Sequence, residues 1–244
     1  MKTKSPVHQN VKLFRRQRIL AVLSAVLLLI GSLCFAKWMI PERKPALAEL
    51  KRPLLLIDPG HGGFDGGAIA YNGVKESDLN LSISLKMRDL AAFYGIPAVM
   101  TRQDDDPRTD AASYSEHEDL VYRAELANSL SSCVLFSIHQ NTFPTSQPSG
   151  AQILYGPDSE SRRLGELTHR NLIDGIQPEN RRVAAPAPKG LFLTSHVHCP
   201  VVLVECGFLS NLSDLQRLCD TRYQSSLAAA LLGSYLQFTD TSRV

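Results

Sequence analysis

Short apolar runs that stop at polar or glycine-rich turns alternate along this chain with stretches of helical period, and few folds accept that order. Leu54-Leu55-Leu56-Ile57 ends at Asp58-Pro59-Gly60, the pattern of a buried strand closed by a turn. From Ser77 to Tyr94, apolar residues at Leu79, Ile83, Met87 and Leu90 keep helical spacing, and Gly95 closes that helix. Ala98-Val99-Met100 predicts a second strand, and the polar, acidic stretch from Gln103 to His117 a loop. Glu118 to Leu130 reads as a helix, Val134 to Ile138 as a third strand, Ala151 to Tyr155 as a fourth and Asp158 to Ile176 as a helix. Leu191-Phe192-Leu193 and Val201-Val202-Leu203-Val204 predict two more strands, with a helix from about Ser213 onward. Strands alternating with helices imply an α/β domain with a largely parallel central sheet of about six strands, flanked by helices.

The amino terminus is a different kind of sequence. Ile19 to Ala36 is a run of 18 residues without a charge, with Arg15, Arg16 and Arg18 before it and Lys37 and Trp38 after it. Such a run is at the short end for a membrane-spanning helix, and Lys37 and Trp38 extend it to Ile40 by placing their polar ends at the interface. Ala46-Leu47-Ala48 has the form of a signal cleavage site but lies far beyond the run, which favours an uncleaved signal-anchor over a cleaved signal. The expected organisation is a cytoplasmic tail and anchor over 1–40, a linker over 41–52 and one extracytoplasmic domain over 53–240. The first 40 residues carry seven Lys and Arg and no Asp or Glu, so the net charge of +2 reflects the tail and the rest of the chain is acidic. A domain without a basic stripe argues against nucleic-acid binding. With 44% apolar and 20% charged residues, it has a core to bury and is not disordered.

In open α/β sheets ligands bind beyond the carboxyl ends of the strands. His61 follows the first strand there, His139 the third, Glu205 the run Val201 to Val204, and Glu76 stands just ahead of the first helix. Each has a plain alternative. His61 could be a turn residue, Glu76 could favour the helix N-terminus, and His139 could be a hydrogen-bonded strand end. Glu205 resists such a reading, because a carboxylate ending an apolar run is costly if buried unpaired. Two imidazoles and a carboxylate with an open position are a catalytic zinc arrangement, and a further carboxylate is needed to move the proton. The set of four supplies those parts with none left over. The glycines at 60, 62, 63, 66 and 67 match neither a P-loop nor a dinucleotide fingerprint. His196-x-His198 beside Cys199 suggests a second metal site, but period-2 spacing at a strand end gives the same pattern. His169 is expected to be solvated. The cysteines form no CxxC; Cys133 and Cys206 read as buried thiols, and no pairing can be read from spacing.

Four segments resemble the zinc-dependent N-acetylmuramoyl-L-alanine amidases of the Amidase_3 type: Leu56-Ile57-Asp58-Pro59-Gly60-His61-Gly62-Gly63 with Asp65-Gly66-Gly67-Ala68; Lys75-Glu76 before Leu79-Asn80-Leu81; Ser137-Ile138-His139-Gln140-Asn141; and Val204 to Asn211. The resemblance covers about residues 53–238. It implies a zinc ion held by His61, Glu76 and His139 at the carboxyl ends of the strands, with Glu205 as the catalytic carboxylate. It implies a peptidoglycan substrate, cut at the amide between N-acetylmuramic acid and L-alanine of the stem peptide. Arg123 and Asn128 look like family positions, without an assigned role. A short hydrophobic segment before a single catalytic domain is similar to the germination-specific, CwlD-type subgroup, which strips stem peptides during spore cortex synthesis. The alternatives are a zinc peptidase or deacetylase acting on another wall bond, or a membrane-tethered wall-binding module. Neither an activating partner protein nor an oligomeric state is specified by the sequence.

Overall fold

The computed structural model describes residues 52–105 and 113–241, together with helical positions 24 and 28. Contacts divide the chain into Met1–Glu49 and Leu50–Val244. Apart from positions 24 and 28, the expected anchor, the linker up to residue 51 and the site resembling a signal cleavage site lie outside the described residues. Among the described residues no helix is long and apolar enough to cross a membrane.

The second unit is built from β1 (Leu54–Pro59), α1 (Glu76–Phe93), β2 (Ala98–Met100), α2 (Glu116–Ser129), β3 (Cys133–Asn141), β4 (Gln152–Tyr155), α3 (Ser159–Ile176), β5 (Ala185–Pro186), α4 (Phe192–His196), β6 (Val201–Phe208), α5 (Leu212–Leu218) and α6 (Thr221–Thr241). The six strands form one sheet in the order β2-β1-β3-β6-β4-β5. β2, β1, β3 and β6 are parallel, β4 runs against β6, and β5 follows β4 in parallel. The expected α/β fold with a largely parallel six-stranded sheet is the fold observed.

Side chains alternate across a strand, and this alternation sorts the core into two layers. Leu55, Ile57, Val134, Phe136, Ile138, Val202 and Val204 face α1, α3 and α6, packing on Ile83, Met87, Leu164, Leu172, Leu231 and Tyr235. Leu56, Cys133, Leu135 and Val201 face the other way, onto Ala124 and Ala127 of α2 and Leu193 of α4. The continuous apolar runs are thus strands buried on both faces. Caps set the helix starts: Ser115 accepts from Glu118 N, Asp158 from Ser161 N and Asn211 from Asp214 N.

Three expectations about elements are corrected. Leu191-Phe192-Leu193 is not a strand; its place in the sheet is taken by the short edge strand β5, Ala185–Pro186, and Phe192–His196 is the short helix α4. Hydroxyls explain the switch, since Thr194 and Ser195 both donate to Leu191 O (2.9 and 3.2 Å), favouring a turn over extension. His117 lies in the first turn of α2 rather than in the preceding loop. The carboxyl-terminal helix divides at Cys219–Asp220, where Asp220 accepts from Arg222 N (2.7 Å) and starts α6.

Candidate metal and catalytic site

The parallel register assembles the site. His139 in β3 stands directly beside Glu205 in β6, and the β3–β6 register shifts between His139 and Asn141. β1 is the neighbour of β3 on its other side, and Gly60-His61 leaves its carboxyl end. Glu76 is the first residue of α1, and its backbone N donates to Ala68 O (2.8 Å), returning the glycine loop to the sheet. All four expected residues line one cavity of about 360 Å³. Its far wall comes from Glu116 and Asp119 of α2 and from Leu191 to Thr194.

Ligand atoms of His61, Glu76 and His139 lie within 4.8 Å of one another. Glu76 Oε1 is 3.0 Å from His139 Nδ1 and 3.3 Å from His61 Nε2. The rings meet edge to face at 5.0 Å. Two glycines allow this approach. A Cβ on Gly60 would stand inside the His139 ring, and one on Gly67 would lie 2.7 Å from His61 and 2.8 Å from Glu76 Oε2. Glu76 is buried, yet Gln140 N and Asn80 Nδ2 hold Oε1, and Ala68 N holds Oε2 at 3.0 Å. Burial alone would raise its pKa; the bonds to His139 and His61 win and hold it well below the carboxylate range. Burial likewise opposes charge on His61, but Asp65 and Glu76 raise it to about 10. The cluster is therefore built around a positive charge, and its N, N, O donor set suits a divalent cation such as zinc.

Behind these donors stands a supporting layer that sequence reasoning did not assign. Asp65 Oδ2 is 2.6 Å from His61 Nδ1, leaving Nε2 to face Glu76. A carboxylate on the outer nitrogen of a metal-binding histidine orients the ring. The signal was the His61-x-x-x-Asp65 spacing inside a loop whose backbone closes on itself, Gly62 N to Asp65 O at 2.7 Å. His61 itself sits at φ +60°, unusual for a residue with a Cβ. Two arginines hold that turn by its carbonyls. Arg123 donates to Pro59 O, His61 O and Asp58 Oδ1 (2.8, 2.7 and 2.7 Å), and Arg102 to Pro59 O, Gly60 O and Ser77 O (3.0, 3.1 and 2.9 Å). Arg123 thus acquires a role in the structure, and so does Asn128. Its amide donates to His196 O and accepts from His198 N (both 2.8 Å), clamping the cavity wall to α2.

Glu205 differs from every other carboxylate here. Its Oε2 is buried without a hydrogen-bond partner. Burial raises its pKa to about 7, with Glu76 adding to the rise and His139 and His61 opposing it. A buried carboxylate facing a cavity beside a cation site is matched to proton transfer near neutral pH. The suggested second metal site does not assemble. His196 stacks on Phe192 at 3.9 Å with Nδ1 on Phe192 O, and among the described residues His61, Glu76 and His139 form the one group that could hold a metal. His169, expected to be solvated, is half-buried, which lowers its pKa.

A largely parallel α/β sheet carrying a His-Glu-His cluster that could hold a metal, beside a buried glutamate oxygen without a partner, has the parts of a hydrolase site. The chain belongs to the Amidase_3 family of N-acetylmuramoyl-L-alanine amidases, whose family model matches residues 55–234. It is 32% identical over 203 residues to the germination-specific N-acetylmuramoyl-L-alanine amidase of Bacillus subtilis, covering 80% of this chain and 83% of that protein. Identity to the N-acetylmuramoyl-L-alanine amidase LytC of the same organism is 30% over 215 residues, covering 83% of this chain and 40% of LytC. The CwlD amidase of Clostridioides difficile, solved in complex with the GerS lipoprotein, superposes with a TM-score of 0.73 at 30% identity, covering 78% of this chain and 99% of CwlD.

Proposed function

We propose that this amidase is zinc-dependent, with zinc held by His61, Glu76 and His139, and that Glu205 is its catalytic carboxylate. The observation that carries the assignment is the buried, unpartnered Oε2 of Glu205 beside three convergent donors. Zinc bound there would polarise the scissile carbonyl and acidify water. Glu205 takes the proton from the attacking water and delivers it to the amide nitrogen of the stem peptide's L-alanine as the bond to the lactyl carbonyl breaks. Burial in the metal-free site raises its pKa, which favours its holding the proton between the two transfers. Asp65 and Arg123 keep His61 in place during turnover, and Glu116, Asp119 and Phe192 border the groove for the substrate. Residues 53–240 form the catalytic domain, held outside the cytoplasm by residues 19–40 and spaced from the membrane by 41–52. The uncharged run between Arg18 and Lys37 supports that placement. The likeness to a germination-specific amidase supports a role in spore cortex maturation.

Mass spectrometry of peptidoglycan incubated with the zinc-loaded protein tests the reading. Intact glycan strands and free peptides beginning with L-alanine are expected. Shortened stems or deacetylated sugars would instead identify a peptidase or a deacetylase, and binding without product a wall-binding module.

A further inference from the structure

On the thinly covered face of the sheet, β3 and β6 bring together two thiols that the hydrolytic site does not use. Leu135 pairs with Val201, and Leu135 N donates to Pro200 O (2.9 Å). Cys133 opens β3 two residues before Leu135, and Cys199 lies in the bend two residues before Val201, so both stand at the same end of this strand pair. Both belong to the apolar cluster that holds Leu135, Val201 and Leu193. Cys199 packs against the buried part of that cluster, which contains Cys133, whose Sγ donates to Ala127 O at 3.6 Å. A disulfide needs a Cα separation of about 4.4–6.8 Å, and the neighbouring β3–β6 pair, which lies roughly 4.8 Å apart, brings the two chain segments into that range. Cys133 is buried and Cys199 is partly open to solvent. Cys206 belongs to the opposite core layer, and Cys219 is exposed beyond α5.

We propose that Cys133 and Cys199 are a modification site: a dithiol that closes to a disulfide when the protein meets a disulfide-bearing oxidant. Cys199, the thiol partly open to solvent, attacks one sulfur of that oxidant as its proton leaves, and one thiol is released. Cys133 and burial raise the Cys199 pKa, so this first attack sets the pace of closure. Cys133 then attacks Cys199 Sγ and releases the second. Two electrons and the two thiol protons pass to the oxidant, which leaves as two thiols. The new bond joins the start of β3 to the segment that carries α4, one wall of the cavity. That segment is already held non-covalently by the Asn128 amide at His196 and His198. The extracytoplasmic location proposed above is where such bonds persist.

The full chain, purified reduced in detergent, is incubated with oxidised glutathione, its remaining thiols are blocked, and it is digested without reduction for mass spectrometry. The expected result is a peptide pair linked through Cys133 and Cys199, lost on reduction. A rise in melting temperature of roughly 5–10 °C should accompany it, as expected for closing a long loop. Cys199→Ser, at the partly exposed position, should fold and show neither change. Glutathione retained on Cys199 without linkage, linkage of Cys133 to any other cysteine, or an unchanged melting temperature in the linked protein would overturn the proposal. Neither readout involves hydrolysis, so the result stands apart from the amidase reading.

Discussion

Asp58 and Glu205 begin from the same sequence signature: a carboxylate following a four-residue apolar run in a central strand. The structure gives them opposite fates. Asp58 is fully satisfied, with Oδ1 accepting from Thr101 and Arg123 (2.6 and 2.7 Å) and Oδ2 from Ser137 (2.6 Å). Burial pushes its pKa up, but Arg123 and the two hydroxyls outweigh burial and hold it at about 2. Glu205 has a buried oxygen with no partner, and burial carries it to about 7. Asp58 is a permanent charge that anchors Arg123 and, through it, the His61 turn. Glu205 can change its charge under working conditions. Position in a strand decides only that both are buried; the neighbours decide which one can move a proton.

Replacing Glu205 should produce the largest effect. Glu205→Gln should lower turnover on the order of 10³-fold while zinc remains bound, read as product release alongside metal content. The sign on stability should be opposite to the loss of activity. A carboxyl whose folded pKa is raised from 4.5 to about 7 destabilises the fold as pH climbs through that interval. The metal-free variant should therefore be more stable than metal-free wild type at pH 8. Wild-type turnover in the variant would remove Glu205 from the chemistry. Breaking the other carboxylate's partner comes next: Arg123→Met strands Asp58 as an unpaired buried charge and should cost about 3 kcal/mol in urea unfolding. A cost near zero would mean that Thr101 and Ser137 satisfy Asp58 without Arg123.

The strand–helix order outside residues 185–196 and the convergence of His61, Glu76, His139 and Glu205 were legible in the sequence. Apolar period and topology fix them without knowledge of any side-chain contact. What stayed hidden depends on pairing at long range. Arg123 reaches the His61 carbonyl from α2, and Arg102 reaches the same turn from just beyond β2; no local pattern announces such bonds. The Leu191-Phe192-Leu193 stretch was misjudged because three apolar residues do not define a period, and the hydroxyls of Thr194 and Ser195 turn the backbone into a helix. Asp65 was in plain view at four residues from His61. Finding it required asking what orients the outer nitrogen of the imidazole.

Acid should sharpen the contrast between the two carboxylates. With a folded pKa of about 2 against 3.8 unfolded, Asp58 contributes about 2 kcal/mol above pH 4, lost as pH falls through 2. Between pH 4.5 and 2, wild type should therefore lose about 2 kcal/mol more than Asp58→Asn in urea unfolding. Parallel losses would show that the Asp58 network is not what holds its pKa down.

The smallest effect falls on a carboxylate of a third kind, one that neither anchors the core nor moves a proton. Asp65 is partly exposed, and its hydrogen bond to His61 draws its own pKa down. Asp65→Asn keeps the shape, but its single amide oxygen replaces only one of the two that now accept, Oδ2 from His61 Nδ1 at 2.6 Å and Oδ1 from Gly67 N at 2.9 Å. The charge and one accepted hydrogen bond are lost at a partly exposed site, so stability should fall by no more than about 1 kcal/mol while zinc affinity drops about tenfold. Competition with a chromophoric chelator would measure the drop. An unchanged affinity would mean that Arg123 and the Gly60–Gly67 backbone orient His61 by themselves, making the turn rather than the carboxylate the determinant of metal binding.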